Sequence, residues 1–233
     1  MTDLYLYQTI HLARGRARHV AEHAATLDAL SREWFGRPYP SAAEALQRRI
    51  ERRAREEHYP TEVSGFIRLE LLADGSERLL PAGISYYDGY GYRSVQPAAV
   101  ALRYDLPLTE APTSAHEVAT LLARRAAERQ GAEAAIRCDA EGHFREAEGA
   151  PLFAVAGRTV LEAPGPESVE RSITREAVRR AGMELRKEEF GLGDLSRIEE
   201  LFFTDHRGIT SLSRCNGVPL MTFLAERIAA ALE

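Results

Sequence analysis

Apolar residues recur along this chain in two rhythms. From Leu4 to Leu12, branched and aromatic residues alternate with polar ones, which predicts a strand. Gly15-Arg16 then turns the chain into a short return strand. Ala24, Leu27, Leu30 and Trp34 repeat at helical spacing, and Gly36 marks where that helix should stop. A second helix is expected from Ser41 to about Glu57, with Ser41 as N-cap and Glu44 completing a capping box. Three strand-like runs follow, at 65–72, 78–87 and 98–104, the first two joined by the turn signal Asp74-Gly75. Asp105 to Thr113, with two prolines and little periodicity, reads as a linker.

The remainder mixes helices and strands. A helix is expected from Ser114 to Gly131, with Val118, Leu121, Leu122, Arg125 and Ala126 along one face. Short strands are predicted at 134–138, 151–156, 159–163, 183–190, 201–204 and 208–214, with helices at 172–181, 192–198 and 221–232. The expected class is α+β, with a small N-terminal α/β domain over 1–105, a linker over 106–113 and a larger β-rich domain over 114–233.

Composition narrows the functional classes. The chain has 233 residues, 45% hydrophobic and 28% charged, with a formal net charge of −5. No apolar run approaches the roughly 20 residues a membrane helix needs. Met1-Thr2-Asp3 lacks the basic start of a secretory signal. Cys138 and Cys215 stand far apart and form no metal-ligand cluster, so no metal is expected and a cytoplasmic setting is the default. The arginine-rich stretch from Gln47 to His58 alternates with Glu51, Glu56 and Glu57 at three- and four-residue offsets, which predicts a solvated helix with internal ion pairs. With a net acidic chain, that argues against a nucleic-acid partner. Tyr86, Tyr87, Tyr90 and Tyr92 cluster around two glycines, as either a ligand-pocket lining or, more commonly, a packed sheet edge. Of 30 basic residues only Lys187 is a lysine. Codon usage explains an arginine excess, yet any chemistry that needs an amine has one candidate.

Several strings, in order, resemble the class IV aminotransferase family, the fold-type IV pyridoxal-phosphate enzymes that include branched-chain and D-amino-acid transaminases and aminodeoxychorismate lyase. Tyr7-Gln8-Thr9-Ile10 through Gly15-Arg16 and Glu22-His23 to Ser31 resembles the family's opening segment. Asp139-Ala140-Glu141-Gly142, Glu146 and Leu152-Phe153-Ala154-Val155 resemble its central segment, and Ser172-Ile173-Thr174-Arg175 its "G-I-T-R" helix start. Glu199 to Thr204 and Gly208-Ile209-Thr210 continue the match. The resemblance implies a fold-type IV architecture, a homodimer and pyridoxal phosphate as cofactor. It makes Glu146 the partner of the pyridine nitrogen, and Ile173 and Thr174 the phosphate-binding helix start, where free N–H groups favour an anion.

Two positions depart from the family. Its phosphate arginine aligns with Thr26, and its Schiff-base lysine falls on Pro112, Thr113 or Ser114. A further phosphate contact aligns near Asp205. Two like charges about 4 Å apart at an effective dielectric of about 20 repel by roughly 4 kcal/mol. Lys187, between Arg186 and two glutamates, reads as a surface residue rather than a substitute nucleophile. His116, Asp205, His206 and Arg207 remain as candidate cleft residues, able to do cofactor-free acid–base work or to form a plain polar turn. The expectation is a protein of this fold in which the cofactor apparatus has decayed. It would be a pseudoenzyme that binds a small molecule or partner, or an enzyme reusing the cleft without pyridoxal phosphate. The alternatives are an active pyridoxal-phosphate transaminase or lyase, and a non-catalytic dimer partner.

Overall fold

A computed structural model describes residues 4–232, so the reading of Met1-Thr2-Asp3 lies outside the described residues. The chain divides into two units, and the division falls at Gly89 rather than at the linker near 105. The reason is strand pairing: the run at Ala98–Arg103 pairs in parallel with Ala134–Cys138, and so joins the second unit.

The first unit comprises Met1–Gly89 with Ala111–Ala115 and Glu167–Val169. Its sheet is antiparallel, in the order β2 (Arg16–Ala17), β1 (Tyr5–Ala13), β3 (Gly65–Leu72), β4 (Glu77–Ile84). Two helices, α1 (Val20–Phe35) and α2 (Ala43–Glu56), cover one face. Alternation along β1 and β3 sends Leu6, Ile10, Leu12, Ile67, Leu69 and Leu71 toward Leu27, Leu46 and Ile50 on the helices, and these side chains form the core. Gly36 ends α1 as expected: its φ is +66°, a left-handed conformation that glycine adopts without strain, and its N–H reaches Ser31 O. Ser41 is not the cap of α2. Ala42 takes that position, while the Ser41 hydroxyl is held by Arg49 at 3.0 Å. The Arg–Glu ladder on α2 does form, with Arg53–Glu57 at 2.5 Å and Arg52–Glu56 at 3.7 Å. Strand β4 ends at Ile84, short of the expected Tyr87, and Tyr86 is fully exposed. Residues 111–115 return to β1, where Tyr7 N–H donates to Pro112 O at 2.9 Å.

The second unit is built on eleven strands. Its continuous path runs β15 (Val218–Pro219), β14 (Arg214–Cys215), β6 (Ala98–Arg103), β7 (Ala134–Cys138), β8 (Phe144–Ala147), β9 (Ala150–Ala156), β12 (Glu200–Asp205), β13 (Gly208–Ser211), β5 (Gly91–Arg93). Off it, β10 (Thr159–Glu162) pairs with β9, and β11 (Glu184–Lys187) pairs with β10. One face of these strands carries Ile136, Phe144, Leu152, Ala154, Leu201 and Phe203, which with Phe190 and Cys215 make the unit's main core. Phe144 and Phe190 meet edge to face at 6.0 Å. The predicted helix at 192–198 shortens to a 3-10 turn over Leu192–Asp194.

Three helices belong to this part of the chain, and two differ from expectation. In α3 (Ser114–Glu128) the expected apolar face points outward: Val118, Leu121 and Leu122 are 52%, 52% and 65% exposed. Ala123 and Ala127 face inward instead, against Ala132, Ala135 and Val100. Alanines let a helix approach a sheet more closely than leucines do, and here close approach decides the face. Helix α4 (Val169–Arg180) starts three residues before the predicted Ser172. Its buried stripe of Val169, Ile173 and Ala177 begins a full turn earlier, and Pro164 and Pro166 limit it upstream. Helix α5 (Phe223–Ala229) is capped from a distance. The buried Glu200 carboxylate accepts the N–H groups of Phe223, Leu224 and Ala225 at 2.7–2.9 Å, so one side chain on β12 satisfies three of the donors a helix start leaves open.

Candidate functional site

Glu146 sits on β8, directly opposite Arg137 on β7 and Pro151 on β9. Opposed residues of an antiparallel pair share a face, and this face is the one turned away from the main core. Glu146 is 6% exposed, and its Oε1 accepts two hydrogen bonds: from His116 Nε2 at 2.8 Å and from Arg137 Nε at 3.2 Å. His116, in the first turn of α3, is 4% exposed, and Arg137 is 5% exposed. The other arm of Arg137, NH2, donates to Glu110 Oε1 at 2.5 Å, so the guanidinium is pinned between two carboxylates. Burial pushes the Glu146 carboxyl up, but the hydrogen bonds and charges of His116 and Arg137 outweigh it and hold the group below the usual range.

A second buried carboxylate lies on the same face. Glu162 on β10 pairs with Phe153, two positions along β9 from Pro151, so the two glutamates are offset by about 7 Å along the strand. Arg171 NH1 reaches Glu162 Oε1 at 2.7 Å, and Arg175 Nε spans both oxygens at 3.1 and 2.9 Å. Burial raises the Glu162 carboxyl, and the two guanidiniums pull it below its ordinary value. Arg137 was not singled out in the sequence. The available signal was a lone charge inside an otherwise apolar buried strand, Ala134-Ala135-Ile136-Arg137-Cys138.

The other candidates scatter. Ile173 and Thr174 lie one turn inside α4 rather than at its start, where backbone N–H groups are spent on the preceding turn. The Thr174 hydroxyl, shared with Glu170 O at 2.7 Å, meets Thr204 Oγ1 at 2.8 Å. Asp205, His206 and Arg207 form the turn between β12 and β13, and strand alternation places Asp205 on the face opposite Glu146. The bare repulsion expected of Asp205 is not there. Arg207 grips the carboxylate through Nε at 2.9 Å and through NH2, and Arg93 stands 3.9 Å away while donating to Thr210 at 3.0 Å. Burial raises the Asp205 carboxyl, but His206 and Arg207 hold it below the usual range. Thr26 is a half-buried residue of α1, and Lys187 is exposed at the end of β11, which pairs only with β10. Cys138 and Cys215 are buried free thiols. Among the described residues, no group of three or more His, Cys, Asp or Glu is placed to hold a metal ion.

A family model described as amino-transferase class IV matches residues 5–206. The chain belongs to the class IV aminotransferase family. Solved structures of low identity share the fold. An aminotransferase from Brucella abortus bound to PLP is 17% identical with a TM-score of 0.79, covering 97% of this chain and 87% of that one. A putative 4-amino-4-deoxychorismate lyase from Legionella pneumophila is 13% identical with a TM-score of 0.78, covering 96% and 88%. A branched-chain aminotransferase from Thermoproteus uzoniensis with norvaline is 18% identical with a TM-score of 0.80, covering 97% and 83%. No curated protein matches the sequence. This class IV chain has the family's architecture, and its Glu146 is engaged by the chain's own side chains.

Proposed function

We propose that this class IV aminotransferase-fold protein does not use pyridoxal phosphate. It would bind a small molecule or partner as a pseudoenzyme, or carry out cofactor-free chemistry in the same cleft. The observation that carries the reading is Glu146, whose Oε1 already accepts from His116 and Arg137. The residues present do not fit the cofactor. Pro112, Thr113 and Ser114 stand where the family's spacing puts an amine, Thr26 brings no charge, and Ile173 and Thr174 lie within α4. The single lysine is exposed on β11, a strand paired on one side only. His116 would act as a clamp on Glu146, and the ligand would be met by groups other than that carboxylate.

The test is titration with stoichiometric pyridoxal phosphate. The expected outcome is the spectrum of free cofactor and no borohydride-trapped adduct by intact mass. A saturable adduct on Lys187 at equal concentrations would overturn the reading in favour of an active transaminase or lyase. The family likeness also supports a homodimer, checked by light scattering on the eluting protein. A non-catalytic partner role is checked by co-purification with an active relative from the native host. A cytoplasmic location is proposed as well. Among the described residues no helix is long and apolar enough to cross a membrane, and fractionation of the host tests the assignment.

A further inference from the structure

A missing lysine is one substitution away from return, whereas the surroundings of Glu146 are not. For that carboxylate to support a pyridine nitrogen, it must offer an oxygen and its charge to the ring. Here Oε1 receives His116 Nε2 at 2.8 Å and Arg137 Nε at 3.2 Å. Arg137 cannot swing aside freely, since its NH2 is fixed by Glu110 at 2.5 Å. His116 is set by the first turn of α3 and is itself buried. A protonated ring nitrogen would arrive as a second full cation beside the buried Arg137 guanidinium, where screening by solvent is weak.

We propose that His116 and Arg137 are specificity-determining residues that exclude the cofactor by holding Glu146 as an internal counter-ion. Restoring an amine at position 112, 113 or 114 therefore does not restore binding on its own. The inference rests on the functional reading above and goes one step past it, because it assigns the exclusion to two named side chains rather than to the absent lysine.

The experiment compares Pro112→Lys, Thr113→Lys and Ser114→Lys, each alone and each with His116→Asn and Arg137→Leu. Each is mixed with stoichiometric pyridoxal phosphate, reduced with borohydride and mapped by peptide mass. The expected result is an adduct at the new lysine in at least one triple variant, and less than a tenth of that yield in the matching single variant. An adduct of equal yield in a single variant overturns the proposal, and so does its absence from every folded triple variant.

Should the triple variants fail to fold, imidazole nitrogen resonances of the wild type decide. A His116 Nε2–H signal unchanged by added cofactor supports the clamp, and its loss or shift overturns it. An adduct on Lys187 in the wild type would sink the functional reading, while the comparison at 112–114 would still decide this one.

Discussion

Replacing Glu146 by glutamine keeps the shape of the side chain and removes its charge. Arg137 then keeps Glu110, an acid whose side chain is 42% exposed, as its remaining carboxylate partner. His116 faces an amide in place of an anion. Breaking a buried ion pair from one side costs about 3–5 kcal/mol. The amide oxygen can still accept one of the two hydrogen bonds and Glu110 retains its hold, so the expected loss falls to about 2–3 kcal/mol. For a chain of this size each kcal/mol moves the melting temperature by roughly 2–4 °C, giving a drop of about 4–12 °C at pH 7. The assay is thermal unfolding of both proteins followed by circular dichroism across pH.

The pH dependence has a fixed sign. A carboxyl depressed in the folded state contributes stability above its unfolded value, near 4.5, and that contribution is lost as pH falls through the lower folded value. The gap between wild type and Glu146→Gln should narrow below about pH 4.5 and close as pH falls through the lower folded value. A variant that melts within about 1 °C of wild type at pH 7 would refute the view that Glu146 carries a buried, paired charge.

Three other outcomes are expected. Glu200→Ala strips three N–H groups of α5 of their acceptor and should cost about 2–3 kcal/mol in urea unfolding; a loss under about 0.5 kcal/mol would sink the capping role. On α3, Leu122→Gln should change stability by less than about 0.5 kcal/mol, whereas Ala123→Leu should cost about 1–3 kcal/mol, and the reverse ranking would return the helix to its sequence-predicted face. Cys138 and Cys215 should resist a thiol reagent until the protein unfolds. Both are buried, burial pushes the Cys215 thiol up to about 12, and rapid labelling of native protein would contradict that placement.

Elements with a strong rhythm were legible in the sequence. Strand β1 and helix α1 follow from alternation and from Gly36, because each signal is local. Helix α3 was found with its face reversed, since hydropathy favours Val118, Leu121 and Leu122 while the sheet beneath accepts alanines. Helix α4 begins three residues before the expected Ser172, because Val169 extends the buried stripe of Ile173 and Ala177 one turn upstream. Glu146 was visible through a motif. His116 is legible as a candidate cleft residue but its contact with Glu146 is not, since it closes over 30 residues. Arg137 carries no motif at all and meets Glu146 only once β7 pairs with β8. Asp205 reads as a bare anion in the sequence because spacing alone does not say that the turn folds Arg207, two residues on, back onto its carboxylate, with the remote Arg93 3.9 Å away.

The exposed position of Lys187 on β11 has a practical side. A chain of 30 basic residues with one lysine offers a single ε-amine to acylating dyes, biotin esters and surface-coupling chemistry. Attachment there would touch neither the Glu146 clamp nor the α5 cap. With the α-amino group blocked, one labelled ε-amine per chain allows the copies in an assembly to be counted fluorophore by fluorophore, and the protein to be tethered in one orientation, without engineering a new residue.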